Sequence, residues 1–474
     1  MSGRINAARL LTGLPPRSQK KVREVLAFAE CHLSGMDRRS GDSYARHGLE
    51  VALALREATN DATLLSVALL HDVPLHPDGD VLLRQSPLSP AEQRLALRMH
   101  HLRRLHIDEN TKDLDAFLAA FSADERLILL RMVHRLNDVR HLRVFSVSLR
   151  RRIAHETLHM YTAVAGRLGM HAWRTEMEDI CFRFLHPRIA RSLERKFAAY
   201  RSLDRACLRH VGSFLRRKMR KHGLQCVVGF RIKGHYSTYR KMILKDRRFE
   251  ELTDRLALRI IVENSMDCYK TLAIVHGIMH PIPGKLKDYI GAPKENGYRS
   301  IHTVVFPLRG VSEQPIEIQI RTGAMHRICE FGLAAHGEYK NLLYTLDAGP
   351  ARVDLLRNLE SLREEARSPG QFEQVLRHYF RDDHLVVFDS SNNLFHLKSP
   401  ATALDFVAFS SSREISCLKQ IRVNGRKLPF GTLLKSGDTV EASFGGSRTI
   451  MSTWSSYCRH HLTQKRIRAA LRGS

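Results

Sequence analysis

The chain has 474 residues, 43% hydrophobic and 26% charged, a balance that excludes disorder and allows two to four domains with real cores. Its formal net charge of +27 favours polyanionic partners: nucleotides, RNA or an anionic surface. Eight scattered cysteines without a CxxC pair or zinc spacing, an N-terminal apolar run too short for a signal peptide, and no stretch near the roughly 18 apolar residues of a membrane span point to a reduced cytoplasmic protein with no membrane partner.

Residues 1 to about 190 read as helices, because 49–55, 62–70 and 127–133 are apolar without strand alternation. His71 and Asp72 close the second of these stretches, and His47 stands earlier, after SGDSYAR. An adjacent His-Asp and a distant His are potential ligands of one metal, although a histidine at a helix end is commonly structural. Leu158, Tyr161, Val164 and Leu168 recur at helical spacing and are expected in a core. The basic run 191–221 reads as a solvated helix face, with an RNA or ribosome contact as the other reading. Residues 229–242 gather Arg231, Lys233, His235, Arg240 and Lys241 within about three helical turns. A strand is expected over 254–262, with Asp254 at its entry and Arg259 within, then a helix over 267–276.

The stretch 284–303, GKLKDYIGAPKENGYRSIHT, sets Lys285, Lys287, Lys294, Arg299 and His302 beside Asp288, Tyr289 and Tyr298. Pro293 and Gly297 make it a shaped loop. Convergent cations with flat rings suit a phosphorylated, base-bearing ligand; the alternative is a basic surface loop. In 315–322, PIEIQIRT, the period of two puts Ile316, Ile318 and Ile320 on one strand face and Glu317, Gln319 and Arg321 on the other, either a site wall or a solvated face. A charged helical connector is expected over 355–380 and a hairpin over 383–409. Turn signals follow at Asn424-Gly425 and Ser436-Gly437, and a basic tail ends the chain.

RRSGDSYARH (38–47) and LLHDV (69–73) resemble the HD-hydrolase domain of the RelA/SpoT homologues, which make and destroy the alarmone (p)ppGpp. The family binds manganese through a His, an HD pair and a later Asp. His47, His71 and Asp72 match the first three, while VHRLNDVR (133–140) puts His134 in the aspartate's place. The family's acidic pair after HD is here Leu75 and His76, and leucine can neither transfer a proton nor bind a metal. The resemblance therefore implies a degenerate hydrolase, its Mn2+ in doubt, kept as a structural or regulatory partner.

The motifs from 229 to 345, in order and spacing, resemble the family's (p)ppGpp synthetase domain, a mixed sheet flanked by helices and related to nucleotidyltransferases. That implies transfer of the β,γ-pyrophosphate of ATP to the 3′-hydroxyl of GDP or GTP. By this resemblance Asp254 and Glu317 hold Mg2+, with Glu317 also the base. Arg231, Lys233 and Lys241 contact ATP, with Ser237 among them. Tyr298 stacks on guanine, and Lys287, Lys294 and His302 lie near the acceptor. Arg259, Gln319 and Arg321 are further candidates, and KLKD (285–288) resembles the basic loop of bifunctional members. Residues 383–444 resemble the TGS module, a small β-grasp domain that contacts the 3′ end of tRNA through a histidine absent here near 410–412.

The expected architecture is multidomain, α plus α/β: an all-helical HD-type domain (1–190), the synthetase (191–345), a helical connector (346–381), a β-grasp TGS domain (382–445) and a basic tail (446–474). The expected partners are ATP and GDP/GTP, with tRNA or ribosome contacts through the basic surface and the TGS domain. Two other readings stay open: a non-catalytic nucleotide- or RNA-binding regulator, and a pyrophosphokinase acting on the tRNA 3′ end.

Overall fold

The stretch ATLLSVALL carries no charge, so as a helix it is apolar on every side and belongs at the centre of a helical core. The structure, a computed structural model, describes residues 2–38, 41–105, 113, 116–117, 120, 124–245, 248–249, 252, 256–294, 298–306, 315–332, 384–391, 394–398, 400–410, 415–435 and 437–472. Two units are present, Met1–Glu373 and Gln374–Ser474.

In the first unit the helix Ala62–Leu70 starts on Asp61, whose carboxylate accepts from the amides of Thr63 and Leu64, and it is buried from Leu64 onward. The helix Tyr44–Arg56, capped by Ser43, crosses it so closely that a Cβ on Gly48 would sit 2.5 Å from the Leu69 carbonyl oxygen. That approach brings His47 beside His71. The helix Glu125–Arg140 completes the packing with buried Leu127, Ile128, Met132, Val133, Leu136 and Val139. Leu158, Tyr161, Val164 and Leu168 are buried as expected.

A mixed six-stranded sheet follows. It comprises β1 (Val227–Ile232), β2 (Leu256–Val262), β3 (His280–Pro281), β4 (Lys287–Asp288), β5 (Ile301–Phe306) and β6 (Ile316–Thr322). The order is β1-β2-β6-β5-β3, with β4 also on β5; β2 and β6 run parallel and the other pairs antiparallel. Residues 229–242 are thus not one helical run. Arg231 ends a strand rich in Val, Phe and Ile, Gly234 breaks it, and the helix His235–Lys245 begins after the break. One sheet face packs Leu256, Leu258, Ile260, Ile316, Ile318 and Ile320 on two helices, Pro187–Lys221 and Ser265–Ile278. The basic run 191–221 therefore carries a buried stripe of Leu208, Val211, Leu215 and Met219, and the boundary drawn at 190 falls inside a continuous helix.

The helix His171–Leu185 joins the helical region to the sheet region. Asp179 Oδ1 accepts the Tyr236 amide at 2.9 Å, capping the helix after β1, and the Trp173 ring lies 6.0 Å from Phe331. Gly332 ends the helix Gly323–Phe331 at φ 52°, where a Cβ would lie 1.8 Å from the Leu168 carbonyl oxygen.

The second unit holds β7 (His384–Asp389), β8 (Leu394–Lys398), β9 (Leu418–Val423), β10 (Arg426–Leu428) and β11 (Thr439–Phe444). Their order is β10-β9-β11-β7-β8, with β11 parallel to β7 and the helix Ala403–Ser410 packed in the same core, a β-grasp arrangement. Asn424 and Gly425, both at positive φ, form the expected tight turn. Part of the basic C-terminal stretch packs on this unit. Trp454 and Ile467 are buried in this core, and Asp405 accepts the amides of Arg459 and His460. The helix His461–Arg472 places Ile467 in this core, with Ala470 and Leu471 packed against it. The connector expected over 355–380 lies outside the described residues.

Gly332→Ala is expected to destabilise the first unit by about 2 kcal/mol or more, because both the left-handed backbone and the Leu168 carbonyl reject a Cβ. Gly277→Ala, a helical site with open space around it, is expected to leave stability unchanged or raise it by up to about 1 kcal/mol. Thermal unfolding of the two variants checks this contrast.

Candidate active site

Strand register turns the alternation in β6 into a surface. Across the sheet Arg259 lies opposite Gln319, Gln319 opposite His302, and His302 opposite Lys287. In the adjacent row Arg231 lies opposite Ala257 and Ala257 opposite Glu317. Cross-strand partners share a face about 5 Å apart, so these side chains line one wall, opposite the core face. The wall is not a solvated face: Gln319 is 3% and Arg321 1% exposed.

Buried polar groups need partners, and here they close a ring. His302 Nδ1 donates to Glu317 Oε1 (2.9 Å), and the Tyr298 hydroxyl donates to His302 Nε2 (2.6 Å). Arg321 Nη2 donates to the Tyr298 oxygen (3.3 Å) and to Gln319 Oε1 (2.6 Å). Gln319 Nε2 returns to Glu317 Oε2 (3.2 Å), and Arg231 Nη1 reaches Gln319 Oε1 at 3.3 Å. The ring requires a neutral imidazole and a protonated phenol. Burial supplies both: it pushes the His302 pKa down against the pull of Glu317, and lifts Tyr298 to about 12. Lys294 Nζ stands 5.0 Å from the Tyr289 ring and 5.7 Å from Tyr298. A fixed carboxylate, two guanidiniums and flat rings can orient a phosphorylated nucleotide and take a proton beside it.

By donor type the Glu317 carboxylate fits a divalent cation as one ligand. Asp254, the other expected acid, lies outside the described residues. Arg259 stands in the row, but its guanidinium pairs with Glu330 at 2.7 Å.

A second cluster lies in the helical region. His47, His71 and His134 are buried with Asp72, and one ligand atom from each histidine lies within 4.8 Å of the others. Burial drives the three imidazoles to the neutral form, His134 down to about 3. Arg103 contacts Asp72 Oδ1, and burial lowers its guanidinium to about 10. Leu75, at the end of the turn after Asp72, is 38% exposed.

Residues 230–343 match the region found in RelA / SpoT proteins and residues 25–171 match an HD domain, so each matched region contains one of the two clusters. A probable guanosine-3′,5′-bis(diphosphate) 3′-pyrophosphohydrolase of Synechocystis is 34% identical over 85% of this chain and 54% of its own length. The bifunctional (p)ppGpp synthase/hydrolase SpoT of Escherichia coli is 32% identical over 97% of this chain and 66% of its own. The chain belongs to the RelA/SpoT family. It is also similar to GTP pyrophosphokinase rsh of Brucella ovis, at 31% identity over 97% of this chain and 62% of that one. The chain thus spans between half and two thirds of the length of these relatives. A small alarmone synthetase from Bacillus subtilis bound to pppGpp aligns over 36% of this chain and 92% of its own at 22% identity and a TM-score of 0.26, too loose a likeness to argue from.

Of the residues singled out through the family resemblance, Glu317, Gln319, His302, Tyr298 and Arg231 meet in one network, with Lys294 against Tyr298 and Lys287 at the end of the row. Lys233, Ser237 and Lys241 follow Arg231 on the next loop and helix, the last two one turn apart. Arg321 proves to be the buried node of the ring, and its place in the alternation was the signal for it. His171, whose ring meets Tyr298 edge-on at 5.6 Å, had no local signal, nor did Glu330 as the partner of Arg259.

His302 is expected to titrate below pH 6.5, since burial depresses its pKa. Its contribution to stability is then fully present above about pH 6.5 and lost as the pH falls through the lower folded value. Histidine side-chain NMR checks this, with a His302→Asn spectrum for assignment; a midpoint at or above 6.5 contradicts the buried neutral ring.

Proposed function

We propose that this chain is a (p)ppGpp synthetase, an ATP:GTP/GDP 3′-pyrophosphokinase of the cytoplasm. The observation that carries the reading is the carboxylate of Glu317, held between His302 and Gln319 on a wall that also bears Arg231, Arg321 and Tyr298. Glu317 takes the proton of the guanosine 3′-hydroxyl as its oxygen attacks the β-phosphorus of ATP. The bond from that phosphorus to the α,β-bridging oxygen breaks, and AMP leaves with that oxygen. Arg231, Lys233 and Lys241 hold the ATP phosphates, with Ser237 beside them. Tyr298 and Tyr289 offer ring faces to the guanine, and Lys287, Lys294 and His302 lie by the acceptor. A magnesium ion on Asp254 and Glu317 would neutralise phosphate oxygens. The family membership and the pyrophosphokinase named among its relatives support the reaction class.

The same proposal assigns no hydrolysis to the HD region, whose turn after Asp72 carries Leu75 and His76 where the chemistry needs carboxylates. It assigns the β-grasp unit to a TGS-type module, with tRNA or ribosome as its partner.

Purified protein with γ-labelled ATP, magnesium and GDP or GTP is expected to move label to the guanosine 3′ position. Glu317→Gln is expected to lower the rate by about 10²-fold or more while leaving the fold intact. Transfer to tRNA alone selects the tRNA-directed reading, and nucleotide binding without turnover selects a regulator. In a separate assay, ppGpp with manganese is expected to release no pyrophosphate; release at a rate matching synthesis contradicts the HD assignment.

A further inference from the structure

We propose that His47, His71, His134 and Asp72 bind a zinc-class divalent ion in a closed four-ligand centre that staples three helices, in place of an open hydrolytic metal site. The three imidazole rings form a near-equilateral triangle, with centroids 5.2, 5.1 and 5.1 Å apart. The Nε2 atom of each ring is buried without a hydrogen-bond partner. Three neutral nitrogens left bare in a protein interior carry an uncompensated desolvation cost unless something meets them. Asp72 Oδ2 lies 3.6 Å from both His47 Nε2 and His71 Nε2. Those two edges match a tetrahedral shell with metal–ligand bonds of roughly 2.0–2.2 Å, whose edges are about 3.3–3.6 Å, and the histidine ligand atoms lie within 4.8 Å of one another.

The outward nitrogen of His71 fixes its ring in the matching tautomer, and those of the other two rings stand near side-chain oxygens. His71 Nδ1 donates to the Ala68 carbonyl at 2.7 Å, and His134 Nδ1 faces Asp138 Oδ2 at 3.1 Å. His47 Nδ1 meets Asn137 Oδ1 at 2.8 Å, with Arg38 Nη1 2.9 Å away. A ring protonated on its outward nitrogen presents an Nε2 lone pair inward, as in carboxylate- or carbonyl-supported zinc ligands.

Donor identity sets the metal. Two carboxylates with two imidazoles suit manganese, whereas His134 makes the set three nitrogens and one oxygen, which suits zinc. Arg103 engages Asp72 Oδ1, leaving Oδ2 as the single carboxylate donor. Four protein ligands fill a tetrahedral shell, so no position remains for a water nucleophile. The ligands come from the helix Tyr44–Arg56, from the end of Ala62–Leu70 and from Glu125–Arg140, so one ion ties together the three helices of this core.

The test uses the full chain, stripped by chelator and reloaded with Co2+ as a spectroscopic probe. One equivalent of Co2+ is expected to give the intense visible bands of four-coordinate cobalt, and one equivalent of Zn2+ to bleach them. Zn2+ is expected to raise the unfolding midpoint of stripped protein by several degrees. His134→Asp is expected to weaken the cobalt bands and shift the Mn2+-over-Zn2+ binding ratio at least tenfold toward Mn2+. A weak, six-coordinate cobalt spectrum in the unaltered protein, or no stoichiometric ion, overturns the proposal even if the variant does not fold. None of these readings depends on pyrophosphate transfer.

Discussion

The functional half of the molecule depends on a sheet with one face already spent. Burying Ile316, Ile318 and Ile320 against two helices forces Glu317, Gln319 and Arg321 to the other face, because strand side chains alternate. A one-residue slip would put a carboxylate and a guanidinium into the hydrophobic core, so the register of β6 against β2 and β5 is specified strongly. The wall is then covered in turn, and burial obliges its polar groups to satisfy one another. The ring from Glu317 through His302, Tyr298 and Arg321 to Gln319 is that solution. It fixes the carboxylate before any ligand arrives, which is what proton abstraction from a hydroxyl needs.

The two clusters make opposite use of burial. In the sheet, every group of the ring has a partner within the chain, and the ring holds its members in one protonation state. In the helical region three buried Nε2 atoms are without a hydrogen-bond partner. A packed core does not hold such an arrangement for its own sake, since three apolar side chains of similar size would fill the space without a desolvation cost. The difference separates a site that acts through fixed donors from one that is complete only with a cation.

Much of this was legible in the residues. The period of two in PIEIQIRT gave the wall, and the all-apolar ATLLSVALL gave the central helix, because both patterns are local. The family resemblance brought Tyr298, His302 and Arg231 to notice, yet nothing local says that their hydrogen bonds close on Glu317. That depends on pairings across fifteen to almost ninety residues. The same limit hid Glu330, which draws Arg259 away from the wall, and His171, which reaches Tyr298 from the helical region. Counted in turns as a run of basic residues, 229–242 is a strand in its first part, because Val227, Val228, Phe230 and Ile232 favour extended backbone. The C-terminal basic stretch looked like a tail because charge dominates its composition, while its packing rests on a few residues such as Trp454 and Ile467.

The helix His171–Leu185 ties the helical region to the sheet. At one end His171 packs on Tyr298, a member of the ring; further along, Asp179 caps the helix that carries Ser237 and Lys241. Phe182 packs with Phe197 and Phe249, and with Tyr236 and Tyr239 beside them. Gly332 then closes against the Leu168 carbonyl at a distance no other residue type tolerates. Cutting the helical region away would remove a cap, open an aromatic cluster and uncover one side of Tyr298. The wall therefore needs that region as a mould whatever chemistry happens there, and an ion that clamps its three central helices would stiffen the mould at its far end.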